Sequence, residues 1–188
     1  MKIHFMGKYN GDEDSLPHLP HRPGAVAFKE PDSKSFAIIL NIVSIVVFIP
    51  LILFLFFYAE PFNISKFFIG SLISVAAMFP HEILHALCFK EDAYIYNNLK
   101  KGMLFVVGPE DMTKSRFILM ALLPNVVFGF IPFVIFLIFP SFLILGSLGA
   151  IAIAEGVGDY MNVFNALTQM PKGAKTYLYK FHSFWYLP

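Results

Sequence analysis

The pentapeptide His81-Glu82-Ile83-Leu84-His85 holds the densest chemistry in this 188-residue sequence. On a helix, residues four apart lie on one face, so both imidazoles can reach a single metal ion. Glu82 is turned about 100° from His81, near enough to act on a water at the metal without ligating it. Two imidazole ligands and one adjacent carboxylate are the division of labour that a zinc hydrolase needs. Zinc also needs a third protein ligand and an open position. The acidic residues deep in another apolar stretch are Glu155 and Asp159, in Glu155-Gly156-Val157-Gly158-Asp159.

Helices must place these groups, and the composition puts the helices in lipid. Hydrophobic residues make up 57% of the chain and charged residues 14%, against about 25% charged in soluble domains. Four apolar spans are legible: residues 36–58, interrupted by Pro50; 67–89, with the motif in its last third; 117–139; and 142–167. Each reaches the roughly 20 residues that a bilayer requires. Only Pro140 and Ser141 separate the last two, which predicts an antiparallel hairpin of helices. The first 35 residues are polar and lack the apolar core of a cleavable signal peptide, and the first span is too long to be one. A net charge of +1 gives no reason to expect a nucleic-acid partner, and Cys88, the sole cysteine, can form no internal disulfide.

Basic residues set the orientation. Lys2, Lys8, Arg22, Lys29 and Lys34 lie in the N-terminal tail, Lys90, Lys100, Lys101, Lys114 and Arg116 in the middle loop, and Lys172, Lys175 and Lys180 in the C-terminal tail. The opposite connections carry Lys66 alone. The positive-inside rule then makes both termini and the middle loop cytoplasmic. Under that orientation the second and fourth spans run in the same direction. His81 and His85 lie nine and five residues before Lys90, and Asp159 eight residues before Leu167. At 1.5 Å per residue the three fall within roughly one turn of a common depth.

Depth favours Asp159 as the third ligand. Glu155, one turn earlier on the same face, is the alternative: it would ligate while Asp159 orients a histidine, or Asp159 would serve only as a buried hydrogen-bonding group. Cys88 continues the histidine face, but a buried thiol commonly behaves as a small hydrophobe. Asn125, after Pro124, lines the site or satisfies backbone freed by the proline. Pro80 removes a donor and can bend the second helix where the metal face begins. His4, His18, His21 and His182 lie in polar tails and are expected to have no specific role.

The middle loop should form a hairpin, since residues 93–96 and 103–107 are β-prone with Asn97, Asn98 and Gly102 between them. The aromatic C-terminal tail suits a headgroup region. The expected fold is therefore all-α and integral to the membrane: a four-transmembrane-helix bundle with a small cytoplasmic β-hairpin. Residues 1–35 form a cytoplasmic polar tail, 36–167 the four-span domain with the metal site, and 168–188 a cytoplasmic or interfacial tail.

His81-Glu82-x-x-His85, Pro109-Glu110-Asp111-Met112-Thr113, Leu123-Pro124-Asn125, Gly158-Asp159 and Met170-Pro171-Lys172-Gly173-Ala174 together resemble a bacterial membrane family of zincin peptidases, itself similar to the site-2 intramembrane proteases. The resemblance covers roughly residues 67 to 175. It implies His81, His85 and Asp159 as zinc ligands, Glu82 as general base, and residence in a bacterial cytoplasmic membrane. Site-2 proteases carry Asp-Gly in a helix with Asn and Pro, whereas this chain has Gly158-Asp159 with no proline nearby.

The expected function is zinc-dependent hydrolysis of a peptide bond near the cytoplasmic membrane face, with a membrane protein or membrane-proximal peptide as substrate. Two alternatives stand beside it: a membrane zinc hydrolase of a lipid-linked or small amide or ester, and a catalytically silent membrane adaptor. Oligomeric state is not legible.

Overall fold

The computed structural model describes residues 1–98 and 102–188, so Lys100 and Lys101 lie outside the described residues. The chain forms two compact units, one of Met1–Lys29, Glu82–Ala121 and Asn162–Pro188, the other of Glu30–His81 and Leu122–Met161.

The second of these is helical. The helices of the chain are α1 (Ser33–Tyr58), α2 (Ile64–Leu87), α3 (Lys114–Pro124), a wide π-helical segment (Asn125–Phe130), α4 (Ile131–Ile138), α5 (Leu143–Glu155) and α6 (Val157–Gln169), of which α2, α3 and α6 run from one unit into the other. Asp32 starts α1 by accepting the N–H groups of Lys34 and Ser35 at 3.2 and 3.1 Å, which satisfies donors that a helix start leaves unpaired. Among the described residues, α1, α2 and the continuous stretch from Lys114 to Ile138 are long and apolar enough to cross a membrane. The pair α5 and α6, bent by 50°, adds a fourth if it is one span.

Two expectations change here. The fourth span is not one helix: α5 ends at Glu155 and the chain bends at Gly156, where ψ falls to 5°. The third is not uniform either, because the wide segment stands between Pro124 and Pro132. Proline lacks an N–H and its ring crowds the carbonyl four residues back; for Pro132 that carbonyl belongs to Phe128, inside the wide segment.

Small residues on α5 let its neighbours come close. A Cβ on Gly146 would meet the Phe136 ring at 2.6 Å, one on Gly149 the Phe133 nitrogen at 2.6 Å, and one on Gly70 of α2 the Ser147 Oγ at 1.9 Å. Leu55, Ala59, Phe136, Leu143 and Ala150 form the core of this unit. Ser44 Oγ donates to the Ala154 carbonyl at 2.8 Å and ties α1 to α5.

The other unit contains two sheets, so the expectation of an all-α fold with a single hairpin is corrected. The predicted hairpin is present as β3 (Ala93–Asn98) and β4 (Met103–Val107), paired antiparallel. The N-terminal segment adds β1 (Ile3–Lys8) parallel to β3, giving the order β1-β3-β4. Asp92 clips this register by accepting from the Lys2 N–H at 2.8 Å and His4 Nε2 at 2.9 Å. The His4 contact holds the Asp92 carboxyl below its ordinary range. His4 also stacks on Tyr94, and His21 on Tyr179, so these two tail histidines have structural roles that the sequence reading did not give them.

The C-terminal tail folds as well. β6 (Lys175–Tyr179) and β7 (His182–Tyr186) pair with β2 (Val26–Ala27) and β5 (Met112–Thr113) in the order β2-β7-β6-β5. Tyr177 and Tyr179 alternate along β6, and Tyr177 is buried at 3% exposure. A cluster of Phe28, Met112, Phe117, Ala166, Met170 and Ala174 packs beneath this sheet, and Tyr9, Leu16, Tyr96 and Val107 form another.

Candidate metal centre

The site begins with helix α2, which continues unbroken through Pro80 and carries His81, Glu82 and His85 in its last two turns. His81 is the last residue of the helical unit. Its Nε2 lies 3.2 Å from Asp159 Oδ2. Asp159 sits in the first turn of α6, just past the bend at Gly156. Asn125, fully buried at the start of the wide segment, donates Nδ2 to the same Asp159 oxygen at 2.7 Å. One turn beyond His81 on the same helix, His85 is buried and its Nδ1 lies 2.8 Å from the Met120 carbonyl. A carbonyl can only accept, so Nδ1 carries the proton and Nε2 keeps its lone pair.

His81, His85 and Asp159 are one potential ligand set, with one donor atom from each lying within 4.8 Å of the others. Glu82 follows His81 on α2 and is half-buried. Glu155 is outside the set: it ends α5 and accepts from Ser74 Oγ, itself buried, at 3.2 Å. Cys88 is also outside the set, its Sγ facing the Leu84 carbonyl at 3.5 Å.

Residues 74–175, more than half of the chain, match the family model described as "Putative zincin peptidase". The chain belongs to this family. No curated protein and no solved structure matches it. Zincin membership implies a zinc-dependent peptidase, and the matched stretch takes in His81, Glu82, His85, Asn125 and Asp159.

The donor set fits zinc. Two ligands bound at about 2.0–2.1 Å on a tetrahedral ion sit roughly 3.3–3.5 Å apart, close to the 3.2 Å between His81 Nε2 and Asp159 Oδ2. The hydrogen bonds at His85 Nδ1 and Asp159 Oδ2 are of the kind that orients metal ligands from behind.

Sequence reasoning had no means of naming Met120 or Ser74: one contributes a backbone carbonyl, and serine is common in apolar helices. Because Asp159, not Glu155, joins His81 and His85 in the potential ligand set, Asp159→Ala is expected to lose more zinc than Glu155→Ala. Metal analysis of the two folded zincin variants reads this directly, and the reverse ranking moves the third ligand to Glu155.

Proposed function

We propose that this zincin is an intramembrane peptidase that cuts a peptide bond near the cytoplasmic face of a bacterial membrane. The observation that carries the reading is the ligand set itself, borne on helices apolar enough to lie in a bilayer. Ionisable groups at membrane depth are costly and are commonly functional, and here four of them (His81, Glu82, His85, Asp159) come together in the matched stretch. His81, His85 and Asp159 would hold the zinc.

When bound, zinc supplies Lewis acidity, which lowers the pKa of a water and polarises a carbonyl. The chain supplies the proton handling. Glu82 accepts the proton of the attacking water and delivers it to the leaving amine, a general-base and then general-acid role. The substrate is a membrane protein or a membrane-proximal peptide.

The test combines metal content with cleavage in reconstituted vesicles. About one zinc per chain is expected, as for a single three-ligand site, with its loss in His81→Ala and in His85→Ala. Unchanged zinc in both variants refutes the site.

Orientation belongs to the same proposal. Basic residues flank the spans asymmetrically, so both termini and the β3–β4 region should face the cytoplasm. Reporter fusions at residue 30, within 93–107 and after residue 188 are expected to read cytoplasmic, and one at Pro61 exterior. An exterior signal from 93–107 overturns the orientation.

A further inference from the structure

Pro124 and Asn125 are adjacent, and each acts on the surroundings of a different ligand. In an α-helix the N–H of residue 124 would bond the carbonyl of residue 120. Proline has no N–H to offer, and the Met120 carbonyl accepts from His85 Nδ1 at 2.8 Å. One residue later, Asn125 gives its Nδ2 proton to Asp159 Oδ2 at 2.7 Å.

The seat of Asn125 is made by Gly156, at the bend between α5 and α6. A Cβ at Gly156 would lie 1.8 Å from Asn125 Oδ1 and 2.7 Å from its Cγ. Only a residue without a side chain leaves room for the amide. The wide segment opens at Asn125, and single wide turns of this kind recur at functional sites.

We infer that the Pro124-Asn125 dipeptide is the positioning element of the metal site. Pro124 cedes the Met120 carbonyl to His85, which fixes that ring's tautomer and its angle about χ2. Asn125, seated on Gly156, holds the Asp159 carboxylate toward His81. Neither residue is assigned as a ligand: the proline nitrogen has no lone pair to give, and the asparagine Oδ1, the atom that could ligate, lies against Gly156. The inference rests on the zinc-peptidase reading and adds which residues set zinc affinity.

The experiment measures zinc affinity by chelator competition on purified full-length protein, with the thermal midpoint recorded on the same samples. Pro124→Ala returns an N–H that competes for the Met120 carbonyl, while alanine suits a helix far better than proline. The expected result is a midpoint at or above wild type with zinc held about tenfold more weakly. A proline with only a structural role would shift the midpoint and leave affinity alone.

Asn125→Leu keeps the volume and removes the donor, and is expected to weaken zinc by about 10–100-fold. Gly156→Ala should reproduce that loss by displacing the amide. In an Asn125→Ala background, where nothing is left to displace, Gly156→Ala should add less than about twofold, the non-additivity of residues acting through one contact. This double variant still decides the matter if Asn125→Leu fails to fold. Wild-type protein that binds no zinc overturns both this inference and the zinc-peptidase reading. Wild-type binding with unweakened binding by Pro124→Ala, by Asn125→Ala and by Gly156→Ala overturns this inference alone.

Discussion

Glu82→Gln is expected to keep its zinc and lose turnover by about 10²–10⁴-fold, the range that a positioned general base contributes. Glutamine has the shape of glutamate and can still hydrogen-bond a water, but it cannot take the proton. None of the proposed ligand set changes, since His81, His85 and Asp159 would supply the three donor atoms. The zinc content of Glu82→Gln should therefore match wild type, while His81→Ala loses metal and activity together. This contrast also separates an enzyme from a membrane adaptor that retains the constellation for structure, because an adaptor tolerates Glu82→Gln in every assay of its function. Cleavage by Glu82→Gln at close to the wild-type rate would remove Glu82 from the chemistry.

The motif was legible because its spacing is local. Five consecutive residues on one helix need no knowledge of tertiary structure to place two imidazoles on a shared face, and α2 carries them as the 3.6-residue period requires. The apolar runs were legible for the same reason, and three of the four expected spans coincide with helices. Depth counting paired Asp159 with the histidines even though the fourth span proved to be two helices. The bend at Gly156 falls three residues before Asp159 and leaves that residue beside His81.

What was not legible depends on partners distant in sequence. Strand β1 pairs with β3 about 90 residues away, and four of its six residues are exposed, so no burial alternation marks it as a strand. The strands of the C-terminal tail were hidden for a chemical reason. Aromatic residues favour both membrane headgroups and strands, and the period of two in Tyr177, Tyr179 and again in Phe184, Tyr186 was the signal that distinguished them. Asn125 showed its proximity to the site but not its function, because its bond to Asp159 depends on the space left by Gly156.

The second large effect concerns the segment just beyond the motif. Glu110 is 5% exposed, and its two oxygens serve different purposes. Oε2 accepts the N–H groups of Lys90 and Glu91 at 2.7 and 2.6 Å. Oε1 pairs with the Arg116 guanidinium, whose Nε donates to the Cys88 carbonyl at 2.9 Å. That carbonyl lies three residues after His85, where α2 has run out of backbone partners. Gly108 makes the turn possible, since a Cβ there would meet the Phe89 ring at 2.0 Å. Removing Glu110 strands a mostly buried guanidinium and two amide donors. Breaking one side of a buried ion pair costs about 3–5 kcal/mol, a large part of the 5–15 kcal/mol that typically stabilises a domain. Glu110→Ala and Arg116→Ala should each lower the unfolding midpoint sharply, and the double variant should cost clearly less than their sum, because the second deletion removes the charge that the first left unpaired. Glu110→Gln, which keeps an acceptor for the two N–H groups but not the charge, should fall between wild type and Glu110→Ala. Additive losses in the double variant would show that Glu110 and Arg116 act separately, with the end of α2 held by other contacts.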